Sequence, residues 1–225
     1  MSKLVWDATG TRYYEAGVDH GVLYTQKPDG TYNNGVAWNG LISVDEAPDG
    51  AEPNDLWADN IKYATLRSAE TFGATIEAYT YPDEFMECDG TATIVPGVHL
   101  GQQSRKAFGF VYRTKIGNDV SSDIDAGYKL HIIYNATASP SDKSYETIND
   151  SPDAITLSWE ITTNPVNVTG YKPLSTIVID TTKLDEDGKT ALTTLETTLF
   201  GGEGESANPT LPSPDTIIGM FVPNP

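Results

Sequence analysis

One cysteine, Cys88, stands in 225 residues, which excludes an internal disulfide. Basic residues are scarce: 14 Lys and Arg face 32 Asp and Glu, for a formal net charge of -18. A surface of that sign repels nucleic-acid phosphates and anionic membranes. No apolar run approaches the ~18 residues needed to span a bilayer. The opening MSKLVWDATG lacks the charged-then-apolar layout of a secretory leader, so folding in a reducing cytoplasm is expected. The three histidines, His20, His99 and His131, show no H-x-x-x-H spacing, and no C-x-x-C accompanies them, so nothing points to zinc. The chain has no G-x-S-x-G, no G-x-x-x-x-G-K-[ST] and no G-x-G-x-x-G. Asp123-Ile124-Asp125-Ala126-Gly127 hints at a calcium loop but lacks the ligand spacing and the closing Glu, which makes a polar turn the expected reading. No repeat of 20–50 residues argues for a solenoid.

What is present is strand pattern. With 38% apolar and 10% aromatic residues the chain can bury a substantial core. Ile155–Thr162 alternates apolar and polar residues, the mark of a half-buried strand. Residues 128–137 alternate in the same way. Residues 104–115 put Phe108, Phe110 and Tyr112 on one face, and Arg105, Ala107, Gly109, Val111, Arg113 and Lys115 on the other. Further strands are expected at 12–16, 21–26, 36–44, 61–66, 74–81, 91–95 and 174–180. Many are separated by turn signals such as Pro28-Asp29-Gly30 and Asn33-Asn34-Gly35. One helix is expected over Lys189–Phe200, where Leu192, Leu195 and Leu199 share a face and Gly201-Gly202 ends it. A short helical turn is expected at Pro82–Cys88. The pattern predicts a mainly β fold, an antiparallel β-sandwich or barrel with one flanking α-helix near the C-terminus. Residues 1–200 form the expected single domain, and 201–225 a linker and C-terminal arm. The apolar Ile217, Ile218, Met220 and Phe221 of that arm need burial, either as an edge strand on the same core or against a neighbouring subunit.

The stretch GATIEAYTYPDEFMECDG (73–90) tests for chemistry, because five acids lie beside Cys88. Carboxylate pairs serve glycosidases, but close pairs arise by chance among 32 acids. On a helical turn Glu84 lies four residues before Cys88, and a nearby carboxylate disfavours the reactive thiolate. Cys88 therefore reads as an inert, partly buried side chain, and a hydrolase ranks last. Residues 45–90 hold twelve acids, whereas 91–117 hold none but contain Arg105, Lys106, Arg113 and Lys115. Such a basic edge either balances charge within the chain or meets an acidic neighbour head to tail. Trp6, Trp38, Trp57 and Trp159 with twelve tyrosines raise an alternative, a carbohydrate-binding β-sandwich module. Trp159 falls on the apolar face of its strand and is expected in the core.

Four long stretches carry a family resemblance: LVWDATGTRYYEAGVDHGVLY (4–24), GVAWNGLISVDEAPDGAEP (35–53), LWADNIKYATLRSAETFGATIEAYTYPDEFMECDG (56–90) and GYKLHIIYNATASPSDKSYETINDSPDAITLSWEITTNPV (127–166). They resemble the major tail tube proteins of long, non-contractile-tailed bacteriophages, in particular those infecting Gram-positive bacteria. The resemblance implies a structural virion protein, assembled in the host cytoplasm into stacked hexameric rings. The tube would enclose a tape-measure protein, end on a tail terminator and a distal tail protein, and conduct viral DNA without specific binding. It implies no catalytic residues, no cofactor, no metal and no membrane binding. Six copies at -18 each would put -108 on a ring. At ~0.15 M salt the Debye length of ~8 Å makes such a wall a short-range lining and not a pump. Glu77, Asp83, Glu84 and Glu87 are the candidate lumen or interface acids. Arg105, Arg113 and Lys115 are the candidate inter-subunit bases. Ile217, Ile218, Met220 and Phe221 are the candidate inter-ring contact.

Overall fold

The computed structural model describes residues 3–50, 52–120, 124, 126–148, 150, 153–202 and 208–222. Asp123 and Asp125 of the calcium-like segment, and 203–207 of the expected linker, lie outside the described residues. The strands are β1 (Tyr13–Thr25), β2 (Val36–Trp38), β3 (Leu41–Glu46), β4 (Asp49–Gly50), β5 (Pro53–Ala58), β6 (Ile61–Arg67) and β7 (Glu70–Thr71). After them come β8 (Gly73–Ala78), β9 (Ala92–Val95), β10 (Val98–Leu100), β11 (Phe108–Asn118), β12 (Gly127–Ala138), β13 (Leu157–Thr163) and β14 (Thr176–Asp180). The helices are α1 (Glu186–Phe200) and α2 (Pro214–Phe221).

The main sheet is antiparallel and runs β2-β1-β11-β12-β13-β8-β3, with β14 beside β12. Strand β12 belongs to two layers at once. Its residues 129–133 pair with β14, and its residues 136–138 pair with β13. The sheet thereby folds over itself, and Leu41 at the start of β3 packs against Gly21 of β1. The Trp38 indole N–H closes this corner by donating to the Thr80 carbonyl at 2.9 Å.

The fold over encloses a first core. Alternate residues of β8 (Ala74, Ile76, Ala78) and of β13 (Trp159, Ile161) face Phe108, Phe110 and Tyr112 of β11. Trp38, Phe85 and Trp159 meet edge to face or tilted, with ring centroids 4.5–5.6 Å apart, the geometry that aromatic quadrupoles favour.

A second core lies on the other side of β1, β11 and β12. Val22, Tyr24, Val111, Leu130, Ile132 and Tyr134 pack there against Leu192, Leu195 and Leu199 of α1 and Ile217 of α2. Hydroxyls lock this side: Tyr24 donates to the Leu199 carbonyl (2.5 Å), Tyr128 to Glu196 (2.6 Å) and Tyr134 to the Pro212 carbonyl (3.0 Å). Gly109 sits under Leu211 so closely that any Cβ would collide with it.

Helix α1 starts three residues earlier than the leucine spacing indicates. The Asp185 carboxylate caps it by accepting from the Gly188 N–H at 2.8 Å. Gly201, at φ 85°, ends it. Five threonines, Thr190, Thr193, Thr194, Thr197 and Thr198, donate to carbonyls one turn back, so their hydroxyls are satisfied within the helix.

The structure departs from the sequence reading in several places. The strand expected at 36–44 is two, β2 and β3, which stand at opposite ends of the main sheet's strand order. The two strands expected at 12–16 and 21–26 are one strand, β1, with register irregularities where Gly17 and His20 take positive φ. The acidic stretch between β3 and β8 forms the paired β4–β7 and the ribbon β5–β6, turned by Asp59 and Asn60, both at positive φ as a tight two-residue hairpin requires. The terminal apolar segment, expected as an edge strand or an arm, is the helix α2 packed on the chain's own core, so the chain has two helices where one was expected. The local signal is Ser213-Pro214: the Ser213 hydroxyl accepts from the Thr216 N–H and Pro214 occupies the first turn. Ile217 is buried, and Met220 and Phe221 pack partly against the same core. Ile217→Ala should therefore destabilise the unassembled chain by roughly 2–5 kcal/mol, read as a lowered urea midpoint. An unchanged midpoint in single copies, with a loss only in assemblies, would show instead that Ile217 serves a neighbour.

Candidate assembly surfaces

The outer face of β3, β8 and β13 is set by period two. Ala74, Ile76 and Ala78 point into the core, so Thr75 and Glu77 point out. Register places Asp45 and Glu160 beside Thr75, and Ser43 and Ser158 beside Glu77. Carboxylates and hydroxyls therefore alternate across three strands without one Lys or Arg among these six residues and Thr162. The Ser43 hydroxyl lies 3.4 Å from Glu77. The helices cover the other layer, so the acidic face and the helical face lie on opposite sides of the two cores.

Of the candidate acids, only Glu77 lies on this face. Asp83, Glu84 and Glu87 lie on a 3-10 turn (Asp83–Glu87) and line an open groove of about 800 Å³ with Lys27, Asn34 and Thr93. Glu87 pairs with Lys106 at 2.6 Å. Glu160 was missed because it lies outside the acidic block, although the alternation of its strand places it outward. Tyr79 is exposed, but Tyr81 packs on Phe85 and Trp159 and is no part of a polar face.

Glu46, also in the acidic block, turns inward. It accepts from the Tyr112 hydroxyl at 2.7 Å and lies 3.2 Å from His131 Nδ1. The hydrogen bond from His131 holds its carboxyl below the ordinary 4.5, helped by that from Tyr112 and by the charge of Lys129. His131 is buried. Its ring stacks on Tyr112 with centroids 4.6 Å apart, and its Nε2 lies 3.1 Å from the Thr114 hydroxyl. The signal was available: Val44 and Glu46 are two apart on one strand and share a face.

Cys88 is fully buried in the first core. Burial pushes its thiol up to about 12, with the charges of Glu87 and Asp89 adding to the effect. The 3-10 geometry replaces the α-helical pairing of Glu84 with Cys88, and desolvation does most of the suppression.

The candidate bases have partners within the chain. Arg105 donates to the Ala138 carbonyl (3.1 Å) and pairs with Asp89 (3.4 Å), which Lys143 also holds at 2.8 Å. Arg113 donates to Asp19 (3.0 Å) and His20 (2.7 Å), with its guanidinium 4.7 Å from the Tyr128 ring centroid. Lys115 is half-exposed, 3.9 Å from Asp19. The face expected to be basic is largely the one that α1 and Leu211 cover, through Gly109 and Val111. Among the described residues no group of three or more His, Cys, Asp or Glu could hold a metal ion.

Among the described residues three two-stranded ribbons stand apart from the main sheet: β5–β6, β9–β10 and the short β4–β7. The first exposes Leu56, Trp57, Ile61, Tyr63 and Leu66. Trp38 and Trp159 are core residues, which leaves Trp6 and Trp57 as the exposed indoles.

A family model described as phage tail tube protein matches residues 11–197. The chain belongs to that family. No curated protein matches this tail tube protein. Among solved structures, a chain of the anti-feeding prophage (AFP) baseplate is similar at 9% identity and TM-score 0.38, covering 80% of this tail tube protein and 100% of that chain. A chain of the PVC sheath/tube terminator of an extracellular contractile injection system is similar at 10% identity and TM-score 0.32, covering 79% and 99%. The tail tube protein is thus a structural component of a phage tail.

Cys88 and Glu46 can each be tested in solution. Native protein should need hours or longer to react with an aromatic disulfide reagent, and unfolded protein only minutes; fast stoichiometric labelling of Cys88 in the native state would refute its burial. The depressed Glu46 carboxyl contributes stability above its unfolded value, and that stability is lost as pH falls through the folded value. The Glu46 side chain is more than a third exposed, so solvent screens its interactions, and Glu46→Gln should cost less than about 1 kcal/mol at pH 7, with the difference from wild type shrinking below pH 4.5 in urea titrations. A pH-independent difference would sink this assignment.

Proposed function

We propose that the tail tube protein closes into hexameric rings with the acidic face of β3, β8 and β13 turned inward and the helices outward. The rings stack into a tube that encloses a tape-measure protein and conducts DNA at ejection. The carrying observation is the acidic sheet face, on which Asp45, Glu77 and Glu160 alternate with hydroxyls and no cation intervenes. DNA presents one negative charge per ~1.7 Å of axis, and such a wall leaves it no binding site. Hydroxyls between the carboxylates keep the face wetted while spacing the like charges. The β5–β6 ribbon serves contact between rings. Its exposed Leu56, Ile61 and Leu66 belong to an isolated two-stranded ribbon, which is marginal in water without a partner. The tape-measure protein, a terminator and a distal tail protein are the partners of this assembly.

Charge reversal tests the inward face. Asp45→Lys/Glu77→Lys/Glu160→Lys should leave the fold intact by circular dichroism, since all three side chains point outward. Electron microscopy should still show rings or tubes on the order of 100 Å across. The variant tubes should retain short duplex DNA at low salt and lose it as salt rises, whereas wild-type tubes retain none. If variant tubes leave DNA free, or if the density of wild-type tubes places this face outside, the orientation is wrong.

A further inference from the structure

We propose that the β9–β10 ribbon is a contact surface for a second copy of this chain; the inference rests on the tube reading and adds to it a surface distinct from the inward face and from β5–β6.

The ribbon is fixed at its root and bare along its body. The Thr91 N–H donates to the Met86 carbonyl at 2.8 Å, and the Gln103 N–H to the Gly90 carbonyl at 2.9 Å. Arg105 and Lys106, just beyond, pair with Asp89 and Glu87. Between these anchors every residue from Thr93 to Ser104 is exposed. Val98 pairs with Val95, and Leu100 with Ala92, around a Pro96-Gly97 turn with Gly97 at φ 83°. Ile94, Val95, Val98 and Leu100 are each about half or more exposed.

Exposed strand edges are ordinarily guarded by charge. The β5–β6 ribbon follows this rule, with Lys62 pairing Asp55 across it at 2.8 Å. From Gly90 to Ser104 there is no charged residue at all, in a chain that is 20% charged. An unguarded apolar ribbon on a rigid root is a surface that is covered in use.

Charge identifies what covers it. All 32 acids of the chain lie outside residues 90–118, which hold four bases and no acid. Two copies at -18 each meet acid against acid over most of their surfaces. Each such contact at ~4 Å costs about 1 kcal/mol even in bulk water. Asp83, Glu84 and Glu87 stand only at the root, beside Thr93, so the body of the ribbon beyond Thr93 is where an acidic copy approaches another with least of that cost. The bases of the acid-free span are engaged within the chain, so the span offers neutrality with apolar side chains, which suits a protein surface and not a phosphate backbone.

The test compares Val98→Asp with Val98→Lys. Both remove the same exposed apolar side chain, and the pair differs only in the sign introduced. Unassembled variants should melt like wild type, because Val98 makes no core contact. Assembly, read by sedimentation and negative-stain microscopy, should fall at least tenfold for V98D and distinctly less for V98K. Hydrogen exchange at residues 93–100 should slow when wild type assembles. If both variants form tubes like wild type, or the ribbon exchanges equally in tubes and single copies, this contact is overturned while the tube reading stands. Equal loss in the two variants overturns charge as the selector of the occupant. Wild type that stays single at high concentration with tail-tip proteins present overturns the tube reading and this contact together.

Discussion

Strands β1, β11 and β12 carry apolar side chains on both faces, so the sheet they build cannot meet water on either side. Everything else in the protein answers that constraint. One face is closed by folding the sheet over on itself through β13, β8 and β3. The other is closed by α1 and α2. Phenol hydroxyls reach across the second closure: the buried Tyr24 and Tyr134 donate to backbone carbonyls and so are satisfied without charge, while the half-buried Tyr128 donates to the Glu196 carboxylate. The covering layer β3–β8–β13 is then the sheet with a wet outer face, and there period two sorts the acids outward with no core to oppose it.

This ordering explains what could be read from the chain. β13 was legible as Ile155–Thr162 because one of its faces is wet, which preserves alternation. α1 was legible because Leu192, Leu195 and Leu199 face a core on one side only. β11 was legible by half: Phe108, Phe110 and Tyr112 mark the first core, but Gly109 and Val111, buried under the helical side, looked like part of a basic surface. A strand covered twice does not alternate. The bulges of β1 broke its pattern into two pieces, and the β-rich composition of Ile217–Val222 hid a helix whose cap, Ser213-Pro214, was nonetheless in view. Membership of the tail tube family was visible in long extended stretches and is matched over residues 11–197. Function was therefore more legible than surface, because no single residue type marks which acid faces a channel.

Clustered acids divide by environment once folded. Glu46 is drawn inward by His131 and Tyr112, Asp89 is pinned by Arg105 and Lys143, and Glu87 is paired with Lys106. Asp45, Glu77 and Glu160 keep no cation among the described residues. A net charge of -18 is thus not spread evenly as a solubilising coat. Part of it fastens loops to the barrel, and part is left uncompensated on one sheet face, where repulsion between neighbouring carboxylates is eased by Ser43, Thr75 and Ser158 between them.

The pairing of β1 with β11 joins Tyr13 to Asn118. On a ribosome adding roughly 5–20 residues per second, β1 therefore emerges several seconds before its partner exists. During that interval a long strand with two apolar faces has only the short β2, paired at Gly21–Leu23, as a neighbour, and neither helix as cover. High sequence separation of this kind makes folding slow, because loop closure must precede the contacts that reward it. The acidic loops made in the meantime, between β3 and the 3-10 turn, keep nascent chains apart by mutual repulsion. The uneven charge that shapes the finished surface also sets the conditions under which that surface can be made.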